Sequence, residues 1–306
     1  MNPTIGLIGC GAWGRLILRD LKSCGAIVHV VAPSEGSRRN AVEQRADTIV
    51  GALSGLPAVD GYVVATPSSL HAEIIDTLLP TGRPIYTEKP LTVDVASAER
   101  IAARAGERVF VMQKWRYHPG IERMRQEIAD GAVGDVRAIH IQRWGWGHPH
   151  PDTTAIWTLM PHDLSVVLHW LGDIPPLRSV RATVPGSIDL GLFAELGDAR
   201  LPISIDMSTV APAYRRTFTL IGSKATLTLG DSYDAVIHLR RGAPGALDAA
   251  ADTIAIGGDM PLLLEVQAFL GHLRGGPPPM TSAREGLLIV RRTAEIEAAA
   301  HAAHRG

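Results

Sequence analysis

The sequence has little of what marks an extracellular, metal-binding or nucleic-acid-binding protein. It contains only two cysteines, Cys10 and Cys24, which excludes a disulfide framework and a cysteine-based zinc site. Its 30 basic and 31 acidic side chains nearly balance, so charge gives no reason to expect nucleic acid or a membrane surface as a partner. The stretch MNPTIGLIGCG does not show the basic and apolar pattern of a secretory leader, and no run of about 18 uncharged apolar residues occurs. We therefore expect a cytoplasmic protein.

The first 115 residues alternate short β-branched runs with stretches that carry apolar residues at helical spacing. At 306 residues the chain is long for one ordinary domain and suits two. Strands that alternate with helices are typical of a parallel, doubly wound sheet. We therefore predict a first α/β domain at residues 1–115.

After residue 115 the pattern changes. A helix, a strand and a second helix lead into consecutive strand-like runs from Arg178 onward, joined by short turns such as LGDAR and IGSKA. Consecutive strands with short connections are typical of an antiparallel meander. We therefore predict that residues 116–306 form an α+β domain with an open, mainly antiparallel sheet.

A glycine-rich segment follows the first predicted strand and opens the first helix. Gly9, Gly11 and Gly14 fit the pattern G-x-G-x-x-G, with Ala12 and Trp13 between the last two. The first glycine permits a tight turn, the second lets the backbone approach a pyrophosphate, and the third lets the helix pack on the strand. The helix terminus offers amide donors to phosphates. This order predicts a Rossmann domain in which the five residues bind a dinucleotide.

The end of the second strand bears on which dinucleotide is preferred. NAD-binding sites usually place an acidic residue there, where it accepts hydrogen bonds from the adenosine ribose. Here no carboxylate stands at the strand tip, and Ser34, Arg38 and Arg39 follow. These side chains could hold a 2′-phosphate, which favours NADP over NAD. The alternative is that Glu35 takes the ribose while the two arginines start a solvated helix.

Five further motifs are spread over nearly the whole chain. They are ATPSSLHAEI (65–74), YTEKPLTVD (86–94), KWRYHPGIERMRQEIADGAVGDVRAI (114–139), WTLMPHDLSVVLHWLG (157–172) and PLLLEVQAFLGHLRGGPPPMTSAREGLLIV (261–290). Together with the glycine-rich loop they resemble the Gfo/Idh/MocA family, the relatives of glucose-fructose oxidoreductase and inositol dehydrogenase. The resemblance implies a Rossmann domain and a substrate-binding α/β domain whose open sheet forms oligomer contacts. We therefore expect a homo-oligomer, a dimer or a tetramer.

The resemblance also implies roles for residues at matching positions. Near the cofactor it places Thr66, Pro67, His71, Glu88, Lys89 and Arg116. The Lys89–Pro90 bond is often cis in relatives. At the substrate it implies Lys89, Arg116, Tyr117 and His162. The family motif usually reads Asp-x-Gly-x-His, whereas this chain has Thr158, Met160 and His162. Thr158 therefore stands at a substrate position from which the usual aspartate is missing.

Lys89 follows the apolar pair Ile85 and Tyr86 near the end of a predicted strand. Hydride transfer to or from a carbinol carbon needs a group that gives or takes the hydroxyl proton. A partly desolvated lysine can do this, because burial lowers its pKa toward neutrality. We therefore predict Lys89 as the catalytic acid–base, with Glu88 orienting it or contacting the cofactor. The alternative is a solvated loop.

His162 is the second catalytic candidate. It follows Pro161, and proline is favoured in the first turn of a helix. The positive end of such a helix would keep the imidazole neutral, able to donate or accept one proton. Asp163 would then be a first-turn acid that stabilises the helix. The alternative is a histidine packed at a domain junction.

The segment RWGWGHPHPD (143–152) adds candidate substrate contacts. Flat rings stack on the C–H surfaces of sugars, so Trp144 and Trp146 suit a carbohydrate pocket, although they could also pack a domain junction or a subunit contact. His148 and His150 are poor evidence for a metal, because no carboxylate or cysteine set accompanies them, and we predict none. Arg116 could bind a phosphate or carboxylate of the substrate, or tie the two domains together.

These residues predict an NAD(P)-dependent oxidoreductase that transfers a hydride between nicotinamide and a hydroxyl or ketone of a sugar or sugar derivative. The stretch 157–163 most resembles family branches that act on 3-keto sugars, and the sugar could be nucleotide-linked. Two alternatives stay open. One is the reduction of a non-sugar ketone or imine. The other is an accessory or regulatory protein that binds the cofactor without turnover, which the missing aspartate at Thr158 would favour.

Overall fold

The structure, a computed structural model, describes residues 2–147, 152–185, 187–248 and 250–305. The helices are α1 (Gly14–Ser23), α2 (Glu35–Glu43), α3 (His71–Leu78), α4 (Val95–Ala105), α5 (Pro119–Ala129), α6 (Ala155–Leu171), α7 (Pro261–Leu273) and α8 (Ala283–Arg305). The strands are β1 (Thr4–Ile8), β2 (Ile27–Val31), β3 (Thr48–Val50), β4 (Gly61–Val64), β5 (Ile85–Glu88), β6 (Val109–Met112), β7 (Val136–Trp146), β8 (Leu177–Ala182), β9 (Gly191–Gly197), β10 (Pro202–Ser208), β11 (Val210–Gly222), β12 (Ala225–Leu229), β13 (Val236–Arg241) and β14 (Ala250–Ala255). In the ranges described, none of the helices is both long and apolar enough to pass through a lipid bilayer.

The chain divides into two compact units. The first comprises Met1–Tyr117 and Met260–Val290, and the second comprises His118–Asp259 and Arg291–Gly306. The sequence division at residue 115 assigned 260–290 to the second part, whereas the structure groups this segment with the first. The physical reason is α7, whose apolar side chains, including Phe269, are buried in the same core as α1 and the strands of the first unit.

The first unit contains a parallel sheet with the strand order β3-β2-β1-β4-β5-β6. Its strands are rich in β-branched residues and leucine, and Ile5, Leu7, Val28 and Val30 are fully buried between the helices. The strand order changes direction between β1 and β4, where sheets of this type bind ligands beyond the carboxyl ends of the strands. The prediction of a doubly wound Rossmann domain is confirmed.

The second unit contains an eight-stranded sheet with the order β14-β13-β12-β11-β7-β10-β9-β8. The pair β7–β10 is parallel, and the other pairs are antiparallel. The predicted α+β unit with a mainly antiparallel sheet is confirmed. The prediction of a single antiparallel meander is wrong, because β7 lies between β10 and β11 and separates two shorter meanders. The mostly exposed strand β14 was not predicted.

Candidate cofactor and catalytic site

The glycine-rich loop between β1 and α1 has the backbone that the G-x-G-x-x-G pattern requires. Gly9 adopts φ +93°, a conformation that side chains disfavour. A β-carbon on Gly9 would stand 2.5 Å from the Ala65 carbonyl oxygen, and one on Gly14 would stand 2.5 Å from the Gly9 carbonyl oxygen. A β-carbon on Gly11 would meet nothing within 4 Å. Gly9 and Gly14 therefore close the turn, while Gly11 keeps the loop surface uncovered.

The amino terminus of α1 is suited to an anion. Trp13 occupies the N-cap position without a side-chain hydrogen bond to the helix, and the first turn has no acidic residue. Gly11 and Ala12, which precede it, are exposed. The amide donors and the positive end of the helix dipole attract negative charge at such a terminus. These residues fit the pyrophosphate of a dinucleotide.

The predicted adenosine-side residues lie at the start of α2. Ser34 is its N-cap, and the Ser34 hydroxyl accepts a hydrogen bond from a first-turn amide at 3.2 Å. Arg38 Nη1 donates to the Ala32 carbonyl oxygen, 3.3 Å away, just beyond β2. Arg39 lies 3.8 Å from Glu35, and both side chains are exposed. The arginines therefore lie on a helix, as the alternative expected, and Arg38 is also anchored beside the end of β2.

His71 is buried and connects the segments that follow β4 and β5. Its ring nitrogens lie 2.8 Å from the Pro90 carbonyl oxygen and 3.2 Å from the Thr66 carbonyl oxygen. Pro67 is exposed directly after Thr66. The contacts show His71 supporting the backbone at the carboxyl edge of the sheet. The cofactor contacts of Thr66, Pro67 and His71 stay predictions.

β5 ends in the pair Glu88 and Lys89. The Lys89 side chain is only 8% exposed, so the solvated-loop alternative is wrong. The Lys89–Pro90 peptide bond is cis, as the resemblance implied. The Lys89 amide donates to Glu88 Oε2 at 3.2 Å, and the Trp13 indole N–H donates to Glu88 Oε1. Glu88 thereby joins the glycine-rich loop to the strand end that carries Lys89.

Lys114 carries a second ammonium group that acts on Glu88, and it is not among the residues predicted from the sequence. Its Nζ lies 4.5 Å from the centre of the Trp13 ring. Burial raises the pKa of Glu88, while the positive charges of Lys89 and Lys114 oppose this rise. Lys114 opens the motif KWRYHP, but no local pattern tells it apart from a surface lysine.

Glu265 on α7 was also missed. It is fully buried one turn before Phe269, whose ring centre lies 5.0 Å from that of Tyr86 on β5. Among the residues that the structure describes, neither carboxyl oxygen has a hydrogen-bond partner. Burial, followed by the negative charge of Glu88, raises the pKa of Glu265 well above its usual range. Burial thus favours the neutral form of this carboxyl group over the ionised form.

Arg116 and Tyr117 follow Lys114 and are both buried. Arg116 Nη1 donates to Thr281 Oγ1 at 3.0 Å and to Glu285 Oε1 at 2.8 Å. The Tyr117 hydroxyl accepts a hydrogen bond from the Met280 amide at 2.9 Å. Burial raises the pKa of Tyr117 to about 12. All these partners belong to the first unit, and the predicted cofactor and substrate contacts of Arg116 and Tyr117 stay predictions.

In the second unit, His162 lies in the middle of α6. The helix begins at Ala155, Thr154 accepts a hydrogen bond from the Trp157 amide at 3.4 Å, and Pro161 lies inside the helix. The prediction that Pro161 lies in the first turn is wrong, because buried apolar side chains from Ala155 onward stabilise a helix that tolerates the missing proline amide. The dipole argument for a neutral His162 therefore fails. The half-buried ring remains a candidate for substrate contact.

Asp163 forms a buried ion pair with Arg143 of β7. Arg143 Nε lies 2.9 Å from each carboxylate oxygen, and the two side chains are 3% and 0% exposed. The interpretation of Asp163 as a first-turn acid is therefore wrong. Thr158, one turn before His162, donates its hydroxyl to the Thr154 carbonyl oxygen at 3.0 Å. The position of the missing aspartate is thus occupied by a side chain that bonds to its own helix.

Trp144 and Trp146 lie on the opposite face of β7 from Arg143. Side chains alternate along a strand, and Arg143 faces Asp163 of α6. The Arg215 guanidinium lies 5.9 Å from the centre of the Trp144 ring, and Trp146 is 69% exposed. The structure therefore does not bring the two tryptophans to the sheet face that carries the Arg143–Asp163 pair. Their substrate contacts stay predictions.

Metal-binding chemistry has no support from the described side chains. The two histidines considered above as metal ligands, His148 and His150, lie outside the described residues. Within the described ranges, no cluster of three or more histidine, cysteine, aspartate or glutamate side chains could hold a metal ion. Burial raises the pKa of Cys10 in the glycine-rich loop to about 11, so its thiol stays protonated near neutral pH.

The loop, the terminus of α1 and the strand order define the first unit as a dinucleotide-binding Rossmann domain. Residues 4–113 match the family model GFO_IDH_MocA, described as an oxidoreductase family with an NAD-binding Rossmann fold. Residues 4–113 therefore carry a Rossmann domain of the Gfo/Idh/MocA type. Its cofactor class is accordingly a nicotinamide dinucleotide, which the uncovered Gly11 and the uncapped terminus of α1 fit.

Individual relatives show the range of this similarity. The chain is 32% identical over 191 residues to inositol 2-dehydrogenase of Acidothermus cellulolyticus, covering 58% of this chain and 55% of that protein. It is 31% identical over 148 residues to dTDP-3,4-didehydro-2,6-dideoxy-alpha-D-glucose 3-reductase of Actinomadura kijaniata, covering 45% of each. The chain thus spans about half the length of these curated relatives. The solved structure of UDP-N-acetylglucosamine 3-dehydrogenase of Acidithiobacillus ferrooxidans aligns with this chain over 100% of both chains, at 20% identity and a TM-score of 0.86. This similarity shows a shared fold.

Proposed function

We propose that the protein is an NAD(P)-dependent oxidoreductase that acts on a CH–OH group, or the corresponding ketone, of a sugar or sugar derivative. The observation that carries the proposal is the buried Lys89 at the end of β5, joined through Glu88 and Trp13 to the glycine-rich loop. A lysine in this setting can exchange a proton with a substrate oxygen beside a dinucleotide. Relatives that act on inositol and on a nucleotide-linked sugar support a polyhydroxylated substrate.

The reaction needs one hydride and one proton. A bound nicotinamide cofactor supplies or accepts the hydride. For reduction, the Lys89 ammonium gives a proton from Nζ to the carbonyl oxygen of the substrate; for oxidation, the neutral amine takes the proton of the hydroxyl group. Glu88 accepts the hydrogen bond from the Lys89 amide and so fixes the backbone of this residue. In this proposal His162 holds the substrate oxygen or shares its proton.

NADP is the preferred cofactor in this proposal. Arg38 is anchored to the Ala32 carbonyl oxygen beside the end of β2, where the adenosine ribose binds in Rossmann domains. Ser34 and the exposed Arg39 lie on the same helix start. Cationic and hydroxyl donors at this place support binding of a 2′-phosphate. The homo-oligomer and the cytoplasmic location stay predictions.

A second candidate is an accessory protein that binds the cofactor without turnover. The observation that favours it is Thr158, whose hydroxyl bonds to the Thr154 carbonyl oxygen at the position where the family motif leads us to expect an aspartate. In that case the glycine-rich loop would keep its cofactor, and Lys89 would transfer no proton.

The deciding experiment measures NADP(H)- and NAD(H)-linked turnover with a panel of sugars, inositols and nucleotide sugars. Wild type is compared with Lys89→Ala and with Lys224→Ala, a control at an exposed lysine of the second unit. We expect Lys89→Ala to lower kcat by at least about 100-fold with cofactor affinity retained, because positioned acid–base groups contribute about 10²–10⁴-fold. Lys224→Ala should behave as wild type. Tight cofactor binding with no turnover by the wild type would favour the accessory protein, and equal rates for Lys89→Ala would contradict the role of Lys89.

A further inference from the structure

Arg216 on β11 is a half-buried cation whose partners are neutral. Its Nη1 donates to the Trp144 carbonyl oxygen and, at 2.8 Å, to the Arg215 carbonyl oxygen. Its guanidinium carbon lies 5.4 Å from the centre of the Tyr214 ring. Among the residues that the structure describes, Arg216 forms no ion pair with a carboxylate. The two carbonyl oxygens fix the guanidinium without neutralising it.

The charges around Arg216 leave an excess of positive charge. Arg216 stands opposite Arg143 in the register of β11 and β7, so both side chains lie on the same sheet face. Asp163 already accepts from two nitrogens of Arg143, and Asp231 accepts from the amide and the hydroxyl of Ser232. Burial, followed by the charge of Arg143, lowers the pKa of Arg216. Two guanidinium groups therefore share one closely bound carboxylate on this face.

The same face is built to hold an aromatic ring beside the guanidinium. A β-carbon on Gly145 would lie 2.7 Å from the Tyr214 ring, so a larger residue at this point of β7 would displace the ring. Tyr214 is 67% exposed, and one face of its ring carries Arg216. A planar cation stacked on an exposed ring is a common recognition element for carboxylates and phosphates.

We propose that Arg216 is a specificity-determining residue that binds an anionic group of the substrate, a carboxylate or a phosphate. This inference rests on the proposed function, because Arg216 is linked to His162 through Arg143 and Asp163, the neighbour of His162 on α6. It also gives the anion-binding role to Arg216 and not to Arg116, whose Nη1 is engaged by Glu285 and Thr281. The substrate class is thus an acidic sugar, a sugar phosphate or a nucleotide-linked sugar.

The test compares matched neutral and anionic ligands. Calorimetry in the presence of cofactor measures the binding of glucose, glucuronate, glucose 6-phosphate and UDP-N-acetylglucosamine, and kcat/KM is measured in parallel. The variants are Arg216→Gln, Arg216→Lys and Arg215→Gln, the last removing an equal charge from the neighbouring residue on the opposite sheet face. Circular dichroism and size-exclusion chromatography check that each variant keeps its fold and its oligomeric state.

We expect the wild type to bind at least one anionic ligand at least about tenfold more tightly than glucose, because charge-assisted bidentate bonds are the strong ones. Arg216→Gln should abolish this difference, Arg216→Lys should keep part of it, and Arg215→Gln should keep it fully. Glucuronate against glucose 6-phosphate distinguishes a carboxylate from a phosphate site. A wild type without anion preference, a preference that survives in Arg216→Gln, or equal losses in Arg215→Gln would each overturn the inference. Anion-selective binding without hydride transfer would instead contradict the proposed function alone.

Discussion

The indole N–H of Trp13 donates a hydrogen bond to the Glu88 carboxylate and thereby joins the glycine-rich loop to the end of β5. The same indole ring faces the Lys114 ammonium at 4.5 Å from the ring centre. Trp13 therefore contacts an anion at its edge and a cation at its face, both favourable orientations for an aromatic ring. The geometry couples the shape of the cofactor loop to the charge of the strand end that precedes Lys89.

Trp13→Phe should weaken cofactor binding while the fold is kept. Phenylalanine preserves an aromatic face for Lys114 but removes the donor to Glu88. We expect the Kd for NADPH to rise by about tenfold, because a hydrogen bond to a charged group contributes about 1.5–3 kcal/mol. Isothermal titration measures this value, with Trp146→Phe, at an exposed tryptophan of the second unit, as the matched control. Equal Kd values for wild type and Trp13→Phe would show that the bond does not shape the loop.

Relative to the wild type, the Glu265→Gln variant should become more stable as pH rises. Burial raises the folded-state pKa of Glu265 above its unfolded value, so its contribution to stability is complete below the unfolded pKa and is lost as pH rises toward the folded one. Glutamine does not titrate. We expect the free energy of unfolding of Glu265→Gln, measured relative to that of the wild type, to increase by up to about 1.4 kcal/mol for each pH unit above about pH 5.

Urea unfolding at a series of pH values measures this gain. Glu43→Gln, at an exposed position on α2, is the control and should differ from wild type by a constant amount. A constant difference for Glu265→Gln as well would mean that Glu265 is ionised in the folded protein.

The contrast between Gly9 and Glu265 explains what the sequence could predict. β1, the glycine-rich loop and α1 are contiguous and their glycines stand at a fixed spacing, so the nucleotide-binding loop could be predicted from one short stretch of sequence. Glu88 and Lys89 could be predicted as site residues for the same reason, because they lie at the end of a strand that the local sequence pattern identifies. Glu265, Lys114 and Arg216 acquire their neighbours only through tertiary packing, and their local patterns are those of ordinary amphipathic or surface residues.

The start of α6 shows a different limit. Proline is favoured in a first turn, so Pro161 was interpreted as a helix start, whereas Thr154 supplies the cap and buried residues between them carry the helix. Tertiary burial outweighed the local preference. Likewise, no sequence pattern places β7 between β10 and β11, because pairing partners of separate strands are chosen by packing.

Breaking the Arg143–Asp163 ion pair should destabilise the protein strongly. Asp163→Asn leaves the Arg143 charge buried beside Arg216, and breaking a buried pair costs about 3–5 kcal/mol. The double variant Arg143→Met/Asp163→Leu should recover most of this loss. Urea unfolding measures both, with Arg100→Met, which breaks an exposed pair with Asp76, as the control at less than about 1 kcal/mol. If Asp163→Asn lowered the free energy of unfolding as little as Arg100→Met, the Arg143–Asp163 pair would not be shielded from water.

Arg38→Ala should change cofactor preference without changing cofactor binding in general. Arg38 is held beside the end of β2 by the Ala32 carbonyl oxygen, so its charge is available at the place where the 2′-phosphate distinguishes NADP from NAD. We expect NADPH affinity to fall by about 10- to 100-fold, because charge-assisted bonds to phosphate are lost, while NADH affinity stays within about twofold. Fluorescence titration measures both, and Arg83→Ala, at an exposed loop arginine, controls for the change in net charge. If the wild type bound NADH more tightly than NADPH, or if Arg38→Ala weakened both cofactors equally, Glu35 or another group would have to recognise the ribose instead.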